Sequence, residues 1–419
     1  MERIIIEGGI PLQGTVRISG AKNAALPILA ASLLSQELCS LSNVPDLRDV
    51  TTMERLLKGL GVEIDKTPSG TWRLDPTKIT GFEAPYEVVR TMRASVLVLG
   101  PLIARFGRAD VSLPGGCAIG ARPINLHLMG LEKLGASLRI EKGYVCASSK
   151  RLEGTRIYLD LPTVTGTMNL MMAATLARGT TLIENAACEP EVRELADALG
   201  SMGARIEGAG TDRIEIEGVE TLGGMDYSVM PDRIEAGTFL TAGAITGGNV
   251  TLSGCRPAHL EAVTEKLLET GVMMEVGPDE LRVLPSGRLR AVDVKTGGYP
   301  AFATDMQAQF MALMTLAEGT SVITESVFEN RFMHVAELRR MGADIKVQGN
   351  SAIVRGVHRL NGAPVMATDL RASASLILAG LAAQGRTIIS RVYHLDRGYE
   401  RMEEKFQGLG AAIRREKES

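Results

Sequence analysis

The chain has 419 residues, too many for one ordinary hydrophobic core, so two domains or a repeat architecture is expected. Lys and Arg total 46 against 49 Asp and Glu, a net charge of -3, which gives no support to a nucleic-acid or membrane-surface binder. Five cysteines without regular spacing argue against a disulfide framework, and no secretory signal pattern or membrane-spanning run is found, so a soluble cytoplasmic protein is expected.

Read in chain order, the sequence repeats itself six times. Each unit begins with an apolar helical pattern and later closes an amphipathic one on a glycine. The apolar helices are predicted over 24–34, 95–105, 168–177, 236–245, 306–316 and 373–382. The closing glycines are Gly61, Gly135, Gly203, Gly271, Gly342 and Gly410, separated by 74, 68, 68, 71 and 68 positions. The apolar helices are rich in Ala, Gly, Ser and Met on every side, as a helix buried all round must be. The amphipathic ones, such as that over 190–202, belong nearer solvent. Ile-, Val- and Thr-rich runs over 180–183, 249–252, 321–324 and 344–347 read as strands. Helices inside, sheets outside and three repeats per domain is the architecture this predicts.

Between the first two glycines lies Leu113-Pro114-Gly115-Gly116-Cys117-Ala118-Ile119-Gly120-Ala121-Arg122-Pro123, a glycine-rich loop that displays one thiol beside an arginine. A nearby cation and a helix start both favour the thiolate, so Cys117 is a candidate reactive group, whereas Cys39, Cys146, Cys188 and Cys255 read as inert. The starts of the apolar helices carry Lys22 and Asn23, Arg93, Thr163 to Thr167, Asp232, Asp305, and Asp369 with Arg371. Arg48, Arg122, Arg256, Arg331 and Arg397 mark the starts of five amphipathic helices. Cations at helix starts oppose the macrodipole, and together with the N-terminal amides they make anion sites. A substrate with several phosphate or carboxylate groups is implied. The simpler roles are a solvated Arg48 and Arg256, an Asp369–Arg371 pair within one turn, and an Asp305 or Thr304 that caps its helix. Lys22 precedes its helix with no acid nearby in sequence. The histidines show no metal spacing, and neither a dinucleotide fingerprint nor a Walker sequence is present.

The blocks SGAKNAALPILAA (19–31), TMRAS (91–95), LPGGCAIGARPINLH (113–127), PAFATDMQAQFMAL (300–313), FENRFMHVAEL (328–338), TDLRASASLILAGLAA (368–383) and RGYERMEEK (397–405) together resemble the enolpyruvyl transferase family, in its branch acting on UDP-N-acetylglucosamine. The resemblance runs along essentially the whole chain. It implies an α/β fold of two inside-out α/β barrels, each of three pseudo-repeats with inner helices and outer sheets. The domains implied are 22–230, carrying the Cys117 loop, and 1–21 with 231–419, carrying Asp305. The chain crosses near 21 and near Val229-Met230-Pro231, and the active site lies in the interdomain cleft.

The reaction implied is transfer of enolpyruvyl from phosphoenolpyruvate to the 3'-hydroxyl of UDP-N-acetylglucosamine with release of phosphate, through a tetrahedral intermediate and with no metal or organic cofactor. By the same resemblance Cys117 sits on a lid, donates a proton to the phosphoenolpyruvate methylene carbon and is alkylated by fosfomycin. Asp305 resembles the general base for the 3'-hydroxyl. Lys22, Arg122 and Arg397 match residues that hold the phosphate, Arg331 and Arg371 those that hold the carboxylate, and Asn23 lies beside the reacting centre. Arg93, Arg122, Pro123, Ile124, Asn125, Leu126, Pro162, Thr163, Val164, Thr165, Asp305 and Val327 match positions that bind the sugar nucleotide.

Two departures stand out. Asn125 replaces a usual aspartate, and the family's Ser-Val-Gly-Ala-Thr reads Thr163-Val164-Thr165-Gly166-Thr167, its glycine displaced by one. The alternatives are a catalytically silent paralogue that binds UDP-N-acetylglucosamine, and enolpyruvylshikimate phosphate synthase, which lacks the cysteine lid and the TDMQAQ block.

Overall fold

The computed structural model describes residues 2–113 and 124–417. They form two compact units: a middle unit of residues 20–113 and 124–230, and a terminal unit of residues 2–19 and 231–417. The chain enters the middle unit at Gly20 and leaves it after Met230.

The sixfold repeat is explicit in the sheets. Among the described residues there are six four-stranded sheets, three in each unit, and all follow one plan. An edge strand lies parallel to the second strand, and the third and fourth add antiparallel. In the terminal unit Val294–Lys295 lies parallel to Thr320–Thr324, which pairs with Ser351–Arg355 and through it with Asp344–Gln348. The same order links Arg156–Tyr158, Thr180–Glu184, Arg213–Glu217 and Arg205–Glu207 in the middle unit. Burial alternates along these strands, as in Arg213–Glu217, whose Ile214 and Ile216 are buried between exposed charges, so one face of each sheet seals the core. The N-terminal strands complete the terminal unit. Glu2–Glu7 lies between Arg386–Ser390 and Ala412–Lys417, and Gln13–Arg17 lies parallel to Asn249–Ser253.

Inside the sheets sit the apolar helices. In the terminal unit Arg233–Thr246, Gln307–Met314 and Leu370–Ala382 pack against one another, with Gln307 to Met314 buried without exception. Lys22–Ala31, Val164–Ala174 and the run Arg93–Phe106 do the same in the middle unit. Two of the predicted inner helices begin as tight 3-10 turns, Arg93–Val98 and Thr304–Met306. Each amphipathic outer helix stops at its repeat glycine, and all six glycines have positive φ, between 84° and 105°, the conformation a helix C-terminus asks of glycine.

A second pair of glycines is set by space. A β-carbon on Gly218 would lie 1.6 Å from the Ala177 carbonyl oxygen, and one on Gly356 would lie 1.6 Å from that of Ala317. Backbone cannot yield there cheaply, so Gly356→Ala should destabilise the protein by about 2 kcal/mol or more, measured by chemical denaturation; a variant as stable as wild type would contradict the close approach.

In the terminal unit, both places where the chain crosses are held by the start of the Arg233–Thr246 helix. Asp232 caps it, accepting from the amides of Ile234 (2.8 Å) and Glu235 (3.0 Å), while its own amide donates to the Ser19 carbonyl at 2.8 Å. The buried Glu235 carboxylate accepts from the Ser19 amide at 2.7 Å and from Lys405 Nζ at 2.6 Å, and Lys405 also donates to Ser19 Oγ at 2.7 Å. Ser19 Oγ donates in turn to Glu400. Burial pushes the Glu235 carboxyl up to about 7, with the attraction of Lys405 opposing it. A folded carboxyl that keeps its proton above the ordinary 4.5 contributes stability that is full below that value and lost as pH rises through about 7. Glu235→Gln, fixed in the neutral form, should therefore gain stability relative to wild type between about pH 5 and about pH 8. Denaturation midpoints of the two proteins across that range check this, and a constant difference would contradict it.

Candidate active site

The Thr304–Met306 turn points two side chains to different tasks. Asp305 was expected to cap its helix, with Thr304 as the competing cap; the structure corrects both, since Ala303 holds the cap position and no side chain bonds there. Instead Asp305 Oδ1 accepts from Arg331 Nη2 at 2.8 Å and Oδ2 from Arg371 Nη2 at 2.9 Å. Both arginine side chains are 3% exposed and Asp305 is 26% exposed, so two buried cations converge on one accessible carboxylate. Thr304 Oγ1 donates to the buried Glu325 at 2.8 Å. The other oxygen of Glu325 accepts from Thr296 Oγ1 (2.8 Å), the Val327 amide (2.8 Å) and the Phe328 amide (3.2 Å). One carboxylate thus ties the Asp305 turn to the loop that presents the exposed Val327.

Arg371 was weighed as the partner of Asp369 within one turn, and the geometry corrects that as well. Asp369 Oδ1 caps the Leu370–Ala382 helix through the amides of Arg371 (2.8 Å) and Ala372 (3.0 Å), and the guanidinium turns to Asp305. Burial alone would lower the pKa of Arg371, but the charges of Asp305, Tyr399 and Asp232 and the hydrogen bond to Asp305 together outweigh it, and the guanidinium is held more firmly protonated than usual. Its Nε and Nη1 are buried without a hydrogen-bond partner, and its face lies 5.3 Å from the centroid of the Tyr399 ring. The Arg331 guanidinium lies 5.3 Å from the Phe328 ring centroid, and burial of the neighbouring His334 pushes that imidazole down to about 4, so it adds no charge at neutral pH. Sequence reasoning passed over Glu325, Gln309 and Tyr399. The latter two stand inside the quoted TDMQAQ and RGYERMEEK blocks, but nothing in their spacing shows that they face the arginines.

The middle unit holds most of the other described candidates. Lys22 and Asn23 open the Lys22–Ala31 helix, and Pro27 within it, lacking an amide hydrogen, leaves the Asn23 carbonyl without its helical donor. The expectation that Lys22 has no acid near it is corrected: its Nζ lies 3.7 Å from Oδ2 of Asp49, distant in sequence and buried by the fold. Arg48, next to Asp49, is exposed. Arg93 opens its 3-10 turn, Ile124, Asn125 and Leu126 lie at the start of the Asn125–Lys133 helix, and Pro162 to Thr165 lead into Val164–Ala174.

The displaced glycine has a local cause. Thr163 Oγ1 caps the helix by accepting from the Gly166 amide at 3.3 Å, and a β-carbon on Gly166 would meet the Thr163 methyl at 2.4 Å. Beneath this cap the buried His127 accepts at Nδ1 from Asn169 Nδ2 (3.0 Å), an amide oriented by the Gly100 N–H that bonds Asn169 Oδ1 at 2.8 Å. That leaves Nε2–H of His127 facing Thr165 Oγ1 at 3.4 Å, and burial holds the ring neutral with a pKa of about 4.

Arg397 ends the Val392–Arg397 turn of the terminal unit and is half-buried. Cys117, Arg122 and Pro123 lie outside the described residues. Burial pushes the other four thiols up, Cys255 to about 11, which fits their reading as inert. Among the described residues no group of three or more His, Cys, Asp or Glu could hold a metal ion, and no helix is long and apolar enough to cross a membrane.

Comparison with known proteins shows the family and the fold. A family model described as EPSP synthase (3-phosphoshikimate 1-carboxyvinyltransferase) matches residues 6–406. A UDP-N-acetylglucosamine 1-carboxyvinyltransferase of Desulfosudis oleivorans is 60% identical over 415 residues, 99% of each chain. Its counterpart from Thermodesulfovibrio yellowstonii is 58% identical over 418 residues, covering 99% of this chain and 100% of that one. Among solved structures, the enolpyruvyl transferase NikO from Streptomyces tendae superposes with a TM-score of 0.89 at 28% identity, covering 99% of this chain and 98% of the other. An EPSP synthase from Acinetobacter baumannii shares the fold, with a TM-score of 0.78 at 19% identity over the whole of both chains. With its two α/β units, their sixfold repeat and full-length kinship to carboxyvinyltransferases, the chain belongs to the EPSP synthase family of enolpyruvyl transferases.

Proposed function

We propose that the chain transfers the enolpyruvyl group of phosphoenolpyruvate to the 3'-hydroxyl of UDP-N-acetylglucosamine, releasing phosphate, as the first committed step of peptidoglycan precursor synthesis in the cytoplasm. The observation that carries the reading is the pair of buried arginines converging on Asp305, in a chain 60% identical from end to end to a UDP-N-acetylglucosamine 1-carboxyvinyltransferase. Likeness to EPSP synthases at 19% identity supports the fold alone, so the shikimate 3-phosphate reaction is not favoured.

In this reading Arg331 and Arg371 take the carboxylate of phosphoenolpyruvate, and Lys22, Arg122 and Arg397 take its phosphate. Arg93, Ile124 to Leu126, Pro162 to Thr165 and Val327 hold the sugar nucleotide. Asp305 removes the 3'-hydroxyl proton as that oxygen bonds to C2 of phosphoenolpyruvate, while Cys117 delivers a proton to C3. The tetrahedral adduct then loses a C3 proton and expels phosphate, which restores the double bond. Asp305 serves first as a stand-in: its carboxylate occupies the arginine pair until the substrate's carboxylate replaces it, and a carboxylate relieved of two cations is a stronger base. Fosfomycin reacts with the Cys117 thiol in the same reading.

Three experiments test this. Phosphate release from phosphoenolpyruvate should require UDP-N-acetylglucosamine and fail with shikimate 3-phosphate; the reverse would overturn the assignment. Asp305→Asn should lower kcat by about 10²- to 10⁴-fold while phosphoenolpyruvate binds at least as tightly by calorimetry, because a charged competitor has left the arginines. Unchanged turnover or weakened binding would contradict the stand-in. Cys117→Ser should cripple turnover and abolish inactivation by fosfomycin, and full activity in that variant would refute the proton-donor role.

A further inference from the structure

We infer that Tyr399 and Gln309 are positioning residues for the carboxylate of phosphoenolpyruvate, acting through Arg371; the inference rests on the reading that Arg371 binds that carboxylate. The observation behind it is how little else holds this guanidinium. Among the described residues its Nη2 donates to Asp305, the group the substrate replaces. Nε and Nη1 are buried with no hydrogen-bond partner. When Asp305 withdraws, the nearest remaining partner among the described contacts is Tyr399, whose ring centroid lies 5.3 Å from the guanidinium carbon, a cation–π contact between two buried side chains, and whose hydroxyl also interacts with the guanidinium.

That ring is itself locked. Tyr399 is buried, and its hydroxyl lies 3.0 Å from Thr238 Oγ1 and 3.1 Å from Gln309 Nε2. Thr238 already donates its own proton to the Ile234 carbonyl at 2.7 Å, so the phenol donates to Thr238 and accepts from Gln309. Burial raises the phenol pKa, which keeps that proton in place. Gln309 Nε2 also donates to the Asp305 carbonyl at 2.9 Å and lies 3.1 Å from Thr238 Oγ1. One amide therefore couples the ring beneath Arg371 to the backbone that carries Asp305. Thr238, Gln309 and Tyr399 are all buried, so no bulk water can replace a lost partner, and breaking the chain costs the desolvation of what remains.

The test compares Tyr399→Phe, Tyr399→Leu and Gln309→Leu with Arg371→Lys, measuring kcat and the KM of each substrate separately, with thermal midpoints alongside. Tyr399→Phe keeps ring and volume and removes the hydroxyl, so the KM for phosphoenolpyruvate should rise about fivefold, the scale of one net hydrogen bond, with the KM for UDP-N-acetylglucosamine within about twofold. Tyr399→Leu, which removes the ring, should raise the phosphoenolpyruvate KM more than about tenfold. Gln309→Leu should raise it and lower kcat as well, since the Asp305 carbonyl loses its donor. Equal changes in both KM values, or none in the phosphoenolpyruvate KM of the Phe and Leu variants, would overturn the inference. If Tyr399→Leu does not fold, the isosteric Phe variant decides. If Arg371→Lys leaves the phosphoenolpyruvate KM unchanged, the underlying assignment of Arg371 falls, and this inference with it.

Discussion

Two guanidinium groups buried beside one carboxylate set the terms for the rest of the molecule. A buried cation left unpaired is costly, so Arg331 and Arg371 must be given an anion at every stage. In the free protein Asp305 supplies it. Bringing a substrate carboxylate onto the same pair places two like charges about 4 Å apart, a repulsion of about 4 kcal/mol at an effective dielectric near 20. In the proposed reading the two carboxylates exchange rather than share, and substrate binding turns Asp305 from a structural counter-ion into an available base. Preorganised cations of this kind act without further rearrangement at the reacting centre.

The scaffold explains how such charges can be held in place. Each repeat contributes an inner helix that is largely apolar, wrapped by a sheet of invariant plan, and most of the charged residues on these helices lie at their starts. Close packing of small residues leaves these helices no freedom to slide, so a side chain at a helix start inherits the rigidity of the core. The Asp305 turn, the Asp369 cap and the Glu325 carboxylate are three local devices on that frame, and each satisfies backbone or hydroxyl groups that would otherwise be buried without partners. At the chain crossings Glu235 and Lys405 do the same for Ser19, with a carboxyl whose proton is held to about pH 7 by burial.

Much of this was legible in the residues. The six glycines announced six helix ends, and all six adopt the left-handed conformation; the apolar composition over 168–177 or 306–316 announced helices buried all round. Asp305, Arg331 and Arg371 were singled out one by one, yet their mutual contact was not, because local rules for caps and i to i+2 pairs describe neighbours in sequence, whereas Arg331 lies 26 positions from Asp305 and Arg371 lies 66 positions away in the next repeat. The same reason hid the Lys22–Asp49 pair and the Tyr399–Gln309–Thr238 chain: partners far apart in sequence leave no periodic signal. The displaced glycine at 166 looked like a departure from the family pattern, and the structure gives it a purpose in the Thr163 cap.

The exchange of carboxylates is most directly tested by a crystal structure of the protein with phosphoenolpyruvate bound. The expected result is the substrate carboxylate within hydrogen-bond distance of Arg331 and Arg371, with the Asp305 carboxylate withdrawn from at least one of them. Phosphoenolpyruvate bound while Asp305 keeps both of its arginine contacts would contradict the account.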